Sequence, residues 1–264
     1  MIMGREKGLA VITGASSGIG ATYAARLAAR GYSLLLVARR PDRLASLKDE
    51  LSRTHRVDVE TLVADLESPS ELSAVEARVA SDDVAFLVNN AGAGGLGRSA
   101  NMTAEQLERI IKLNITALTR LSHAALSVFR KRDAGALVNI GSVMAHSPSA
   151  SGAAYSASKA YVLNFTRSLQ LEYADKPIRI QLVMPGPIRT EFFSSQGMSD
   201  AVFPNEAYLT AEQLVDAALA GLDAGEGVTV PSVLDVGTWN ALEAARVGFM
   251  KATMSGKVAP RYHG

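Results

Sequence analysis

The sequence predicts a doubly wound α/β fold, and three observations carry that prediction. Apolar runs alternate with helix-like stretches from the start of the chain, as parallel strands joined by crossover helices do. The runs are continuous rather than alternating, which fits strands covered by helices on both faces. No Pro/Gly/Ser linker long enough to divide the chain interrupts the series. Leu9–Ile12 is the first strand, followed by a glycine turn and a helix over 19–30. Leu34–Val37 precedes a helix over 41–55, and Val57–Val63 one over 69–80. Ala85–Val88 leads to a long helix over 103–130, Leu137–Ile140 to one over 152–175, and Ile178–Val183 to one over 210–224. A short run near Val228 ends the series, so a single domain over 1–264 is expected.

Composition narrows the chemistry. Hydrophobic residues make up 48% of 264, enough for a substantial core, and 27 Lys and Arg against 26 Asp and Glu leave a net charge of +1. That balance gives no electrostatic reason to expect nucleic acid or an anionic membrane, and suits a small neutral or mildly polar ligand. The absence of cysteine removes disulfides, thiolate metal sites and cysteine nucleophiles, and fits a reducing cytoplasm. His55, His123, His146 and His263 are scattered without paired ligand spacing, so no metal is expected. Residues 1–8 are mixed in charge, and the apolar stretch after them falls short of the ~20 residues that span a bilayer. An intracellular, cytoplasmic protein is the expectation.

Directly after the first strand stands Thr13-Gly14-Ala15-Ser16-Ser17-Gly18-Ile19-Gly20. A strand turning sharply into a helix exposes unpaired N–H groups and the positive helix end, and glycines admit a pyrophosphate close to the backbone. In this strand-turn-helix context the segment reads as a dinucleotide cradle rather than a purely structural turn. The second strand ends in Ala38-Arg39-Arg40, where an NAD-specific site would place a carboxylate on the ribose 2′-hydroxyl. Arg39, helped by Arg40, would instead hold a 2′-phosphate through charge-assisted bonds, giving a preference for NADP(H). The bland alternative is a solvated basic pair opening the next helix. Asp65-Leu66 and Asn89-Asn90-Ala91-Gly92 follow the third and fourth strands, at the carboxyl ends where open sheets bind ligands. Asp65 reads equally as an adenine contact or a helix cap, while Ala91 and Gly92 would let the cofactor pass close by.

Tyr155 and Lys159 lie four residues apart near the start of a helix and therefore share a face. A neighbouring ammonium favours phenolate, which would lower the tyrosine pKa from about 10 toward neutrality, where proton exchange is efficient. Lys159 could also bond the cofactor ribose. Ser142 ends the fifth strand at the edge that carries the glycine turn, where its hydroxyl could hold a substrate oxygen beside Tyr155. Alone, such a pair or such a serine is usually a surface feature; joined to a dinucleotide turn, the combination is specific. Asn114 sits within the apolar helical stripe Leu107, Ile110, Ile111, Leu118 and Leu121. Its amide would stabilise a helix kink or, the favoured reading, an ordered water passing protons from Lys159.

With these residues assembled, the chain from about Gly8 to Thr190 resembles the short-chain dehydrogenase/reductase family. Thr13–Gly20 resembles its cofactor turn and Asn89–Gly92 its strand-four motif. Asn114, Ser142, Tyr155 and Lys159 match its catalytic tetrad, and Pro185-Gly186, Ile188 and Thr190 its nicotinamide-side segment. The resemblance implies a single Rossmann-type domain with a seven-stranded parallel sheet, and hydride transfer at nicotinamide C4 while Tyr155 exchanges the hydroxyl proton. It also implies a homodimer or homotetramer paired through the helices over 103–130 and 152–175.

Reduction of a small to medium apolar ketone or aldehyde, or the reverse oxidation of an alcohol, is the leading expectation. An epimerase or dehydratase would need a larger C-terminal substrate region. A redox sensor or scaffold that binds NADP(H) without turnover would normally have lost Tyr155 or Lys159. Residues 187–210 lack clear periodicity and are expected to form a substrate lid. Its Phe192, Phe193 and Phe203 suggest an apolar pocket, or simply anchor the loop. The tail over 232–264 reads as amphipathic and basic, packing over the substrate site or a partner subunit in preference to a membrane.

Overall fold

The computed structural model describes residues 7–95, 97–192, 194 and 203–263. Seven strands form one parallel sheet: β1 (Leu9–Thr13), β2 (Ser33–Ala38), β3 (Val59–Val63), β4 (Val84–Asn89), β5 (Gly135–Ile140), β6 (Ile178–Val183) and β9 (Val228–Thr229). Their order, β3-β2-β1-β4-β5-β6-β9, reverses direction between β1 and β4, so the doubly wound sheet expected from the sequence is the one observed. At that switch point the crossovers from β1 and β4 depart to opposite sides and open a crevice beyond the carboxyl ends. A separate two-stranded ribbon pairs β7 (Ile188–Arg189) with β8 (Leu209–Thr210), in the register Ile188↔Leu209 and Arg189↔Thr210.

Helices α1 (Gly18–Ala29), α2 (Pro41–His55) and α7 (Ala211–Asp223) belong to one face of the sheet, where Ala24, Leu27, Leu44, Leu51, Leu214 and Leu219 pack with Ile12, Leu34, Leu36 and Val138. On the other face α3 (Pro69–Val79) and α5 (Leu118–Arg132) cover Val11, Leu35, Val37, Leu87 and Leu137 through Leu72, Val75, Leu121, Ala125 and Phe129. The strands of β1 and β4 are buried on both sides, which explains their unbroken apolar sequences. α4 (Ala104–Ile111) opens with a capping box in which Thr103 and Gln106 satisfy each other's backbone N–H groups. α6 (Ala153–Glu172) runs beside β6 and carries the Tyr-Lys pair in its first two turns.

The helix expected over 103–130 is interrupted. Residues Lys112–Ala117 form a π-helical turn between α4 and α5, and Asn114 sits in it. An extra residue in the turn rotates the following side chains and frees local backbone, a distortion that clusters at functional sites.

The chain divides into two compact units, Met1–Val230 and Pro231–Gly264. The second contains α8 (Val236–Ala252), begun by an Asp235 side chain that accepts from Gly237 N–H at 2.8 Å, and none of the helix's residues is buried. Among the described residues no helix is long and apolar enough to cross a membrane.

Candidate active site

Thr13 and Asn90 tie the two strands that flank the switch point. The Thr13 hydroxyl accepts from the N–H groups of Asn90 and Ala91, each at 3.0 Å, and donates to Val88 O at 3.3 Å. The Asn90 amide returns the link, donating to Thr13 O at 2.9 Å and Gly14 O at 3.2 Å. Gly14 and Gly18 adopt positive φ, +66° and +52°, which L side chains rarely tolerate. A Cβ at Gly20 would overlap the Gly14 carbonyl and the Asn90 amide. Only glycines can therefore let α1 start this close to β1. Ser17 leaves the first turn of α1 without a side-chain cap, so its N–H groups remain available to an anion.

Beyond this turn opens a cavity of about 1000 Å³. Gly14, Ser16, Ser17, Gly18 and Ile19 line one end, beside Arg39, Arg40, Asp65 and Leu66. Asn90, Ala91 and Gly92 form its floor, and Ser142, Tyr155 and Lys159 stand at the other end with Pro185, Gly186, Ile188 and Thr190. Gly20 and Asn114 stand behind its wall rather than on it: the first packs the turn, the second braces the loop.

Burial governs the Tyr155-Lys159 pair. Both are buried, at 8% and 7% exposure. Desolvation pushes the Tyr155 phenol up to about 12, opposed by a hydrogen bond with Ser142. The expected lowering by Lys159 is not what the free protein shows, and the reason is geometric. The Lys159 ammonium lies 5.7 Å from the centre of the Tyr155 ring and spends a donor on Ile140 O at 3.0 Å. The same burial pulls Lys159 down to about 8. Ser142 begins a 3₁₀ turn over Val143–His146, its oxygen accepting from Met144 N–H at 3.2 Å.

Asn114 is 2% exposed and bonded on both ends of its amide. Its Oδ1 accepts from Ala93 N–H at 2.8 Å, while Nδ2 donates to Ala93 O at 2.9 Å and to Ser158 Oγ at 3.0 Å. It thus joins the loop after β4 to α6, one residue from Lys159. A Cβ at Gly92 would come within 3.3 Å of Asn114 Oδ1 and 3.9 Å of Lys159 Nζ, so these groups converge on one point.

At the other end of the cavity the two arginines separate. Arg40 donates to Ser16 Oγ from Nε and Nη2, at 3.2 and 3.0 Å, and to Ser17 Oγ at 2.8 Å. Arg39 instead turns toward acids, 3.5 Å from Glu67 and 3.9 Å from Asp65. Asp65 accepts from Glu67 N–H at 3.0 Å, closing a turn before α3, yet it also lines the cavity, so both of its expected roles are compatible with its position.

Phe192 lies with its ring 5.8 Å from that of Tyr155, and Phe203 also lines the cavity; Phe193 falls outside the described residues. Sequence reasoning missed Leu113 and Arg109 on the cavity lining, and did not single out Met144 or, within the expected lid, Glu191. Only Glu191 carried a signal, as the residue after Thr190. It also missed Ser122, Asn139 and Thr166, which with Asn89 are buried and form a chain of hydrogen bonds beneath the site.

The fold and the site together define a Rossmann-type protein whose glycine turn and Ser-Tyr-Lys cluster share one crevice. A family model described as short chain dehydrogenase matches residues 8–200, most of the chain. The chain belongs to the short-chain dehydrogenase/reductase family of oxidoreductases. Among solved structures it is similar to a short-chain dehydrogenase from Sphingobium yanoikuyae in complex with NADPH, at TM-score 0.92 and 42% identity, covering 97% of this chain and 100% of that one. It is also similar to the bulky-bulky ketone specific alcohol dehydrogenase from Comamonas testosteroni, at TM-score 0.89 and 38% identity, covering 97% of this chain and 99% of that one. Among curated proteins it is 35% identical over 184 residues to the human inactive hydroxysteroid dehydrogenase-like protein 1, a match spanning 69% of this chain but only 56% of that protein.

Proposed function

We propose that this protein is an NADP(H)-dependent oxidoreductase that interconverts a ketone or aldehyde and an alcohol, with Tyr155 as general acid and base. One observation carries the reading: the buried Tyr155 phenol, hydrogen-bonded to Ser142 and backed by Lys159, shares a continuous cavity with the glycine turn. The residues fit a dinucleotide, because Gly14, Gly18 and Gly92 line the cavity with bare backbone. A bound nicotinamide dinucleotide supplies or accepts the hydride. Arg40, beside Ser16, would hold a 2′-phosphate, with Arg39 turning toward it from its contacts with Asp65 and Glu67.

In the reducing direction Ser142 Oγ holds the carbonyl oxygen, and Tyr155 Oη gives that oxygen its proton as the carbon receives the hydride. A phenol held up near 12 keeps its proton at neutral pH and is ready to donate. At pH 7 Lys159, below its lowered pKa, is an ammonium that offsets the charge left on Tyr155. Phe192, Met144 and Phe203 suit apolar groups flanking the carbonyl, in keeping with the bulky ketone named for the Comamonas enzyme. We assign a homodimer or homotetramer on the exposed Ile111, Tyr161 and Leu171 of α4 and α6.

A second reading, dinucleotide binding without turnover, draws on the word inactive in the human relative's name. NADPH consumption across a panel of bulky carbonyl compounds separates the two. Turnover that falls about 100-fold or more in Tyr155→Phe, with NADPH affinity retained, is the expected result. NADPH binding with no turnover by the wild type on any member of the panel favours the second reading, and equal turnover by the variant removes Tyr155 from the mechanism.

A further inference from the structure

Glu191 takes no part in the chemistry described so far, yet it is held by two cations from a distant part of the chain. Arg43 Nη1 donates to both of its carboxylate oxygens, at 2.8 and 2.9 Å, and Arg40 Nη1 donates to Oε2 at 3.1 Å. These guanidinium groups hold the Glu191 carboxyl below the usual carboxylate range. The arginines are 148 and 151 residues away in sequence, at the start of α2 and just before it.

The contacts continue into a ring. Arg40 also holds the hydroxyls of Ser16 and Ser17 at the glycine turn. On the far side of that turn a Cβ at Gly18 would lie 3.0 Å from the Thr190 methyl, so Thr190 already sits against the turn's open face. Glu191 follows Thr190 directly, and residues 188–189 before it are anchored by pairing with β8. Ser16, Ser17, Gly18, Arg40, Thr190 and Glu191 all line the cavity, whereas Arg43 stands outside the lining. The ring therefore runs from the end that holds Arg40 to the nicotinamide-side segment and passes the phosphate cradle.

We propose that Glu191, through Arg40 and Arg43, is a positioning residue that closes an ionic bridge across the dinucleotide's phosphates and slows cofactor release. This rests on the dinucleotide reading above. A diphosphate seated on the N–H groups of α1 would lie inside the ring and could leave only when the Glu191 pairs open. The arginines also screen the cofactor from the Glu191 carboxylate, which would otherwise repel it. The bridge is half-exposed and so weak enough to open on each turnover.

The test measures NADPH release from the full-length protein by stopped-flow displacement in the wild type, Glu191→Gln, Arg43→Gln and the double variant. Release should be roughly three- to fivefold faster in each single variant, the upper part of the range of an exposed ion pair. The double variant should be no faster than the quicker single one, since Glu191→Gln already breaks both pairs. Rising salt should speed release from the wild type more steeply than from Glu191→Gln, which keeps only the arginine–phosphate contacts. The single-turnover rate of Arg43→Gln from a preformed ternary complex should match the wild type, because Arg43 lies off the cavity lining. Wild-type release rates in the single variants, or additive effects in the double, overturn the bridge. Slower release in Glu191→Gln also overturns it, and makes the carboxylate a competitor for Arg40. A wild type that binds neither NADPH nor NADH defeats the dinucleotide reading itself, and the bridge with it.

Discussion

Burial raises the pKa of Tyr155 and lowers that of Lys159, shifting each group toward its neutral form relative to its ordinary balance. The consequence is measurable as stability. Folded, Lys159 titrates near 8; unfolded, a lysine titrates near about 10.4. Between those values the unfolded chain binds more protons, so stability rises with pH across the window, and the burden of the buried ammonium is complete below pH 8. Lys159→Met removes that titration. Its stability relative to the dinucleotide-free wild type should therefore shift by about 2 kcal/mol in the wild type's favour between pH 7 and pH 9.5. Urea unfolding at the two pH values reads the shift; a pH-independent difference would refute the buried-ammonium account. Tyr155, common to both proteins, acts the other way only above about pH 10.

At the scale of elements, the site depends on how strand ends are tied together. Thr13 Oγ satisfies two backbone N–H groups of the loop after β4, a role its place before Gly14 does not announce. Thr13→Val keeps the shape but orphans the Ala91 N–H, whereas the Asn90 N–H keeps Val88 O at 3.1 Å. It should cost about 1–2 kcal/mol in chemical denaturation while weakening NADPH binding. A variant as stable as the wild type would show that other groups hold the crevice. The π-turn over Lys112–Ala117 is the clearest local departure from expectation. The apolar stripe from Leu107 to Leu121 is continuous enough to read as one helix. What inserts the extra residue is the three-bond fit of Asn114 to Ala93 and Ser158, partners 21 and 44 residues away. Of the two roles expected of this amide, a helix distortion and an ordered relay water, the distortion is present.

For the whole molecule, cofactor binding and folding should be one linked equilibrium. The cradle is built from β1, β4 and α1, which also form the centre of the core. NADPH at about 100 times its Kd should stabilise the protein by about 2.7 kcal/mol, read as a rise in Tm. Gly20→Val, whose side chain would collide with the Gly14 carbonyl, should abolish that rise even where the variant folds. A ligand-dependent Tm shift of wild-type size in the variant would place the dinucleotide elsewhere.

The doubly wound sheet, the glycine turn, Ser142, Tyr155 and Lys159 were legible in the sequence by itself. Their signals are local: strand periodicity, positive-φ glycines at a strand end, and a four-residue helical spacing are written into neighbouring positions. The rest depends on contacts between remote segments. Only the tertiary structure decided that Arg40 rather than Arg39 holds the turn serines, that Glu191 meets Arg43 across 148 residues, and that burial holds the Tyr155 phenol above its ordinary pKa. Charge pairing and burial are properties of the packed molecule, and no stretch of chain carries them alone.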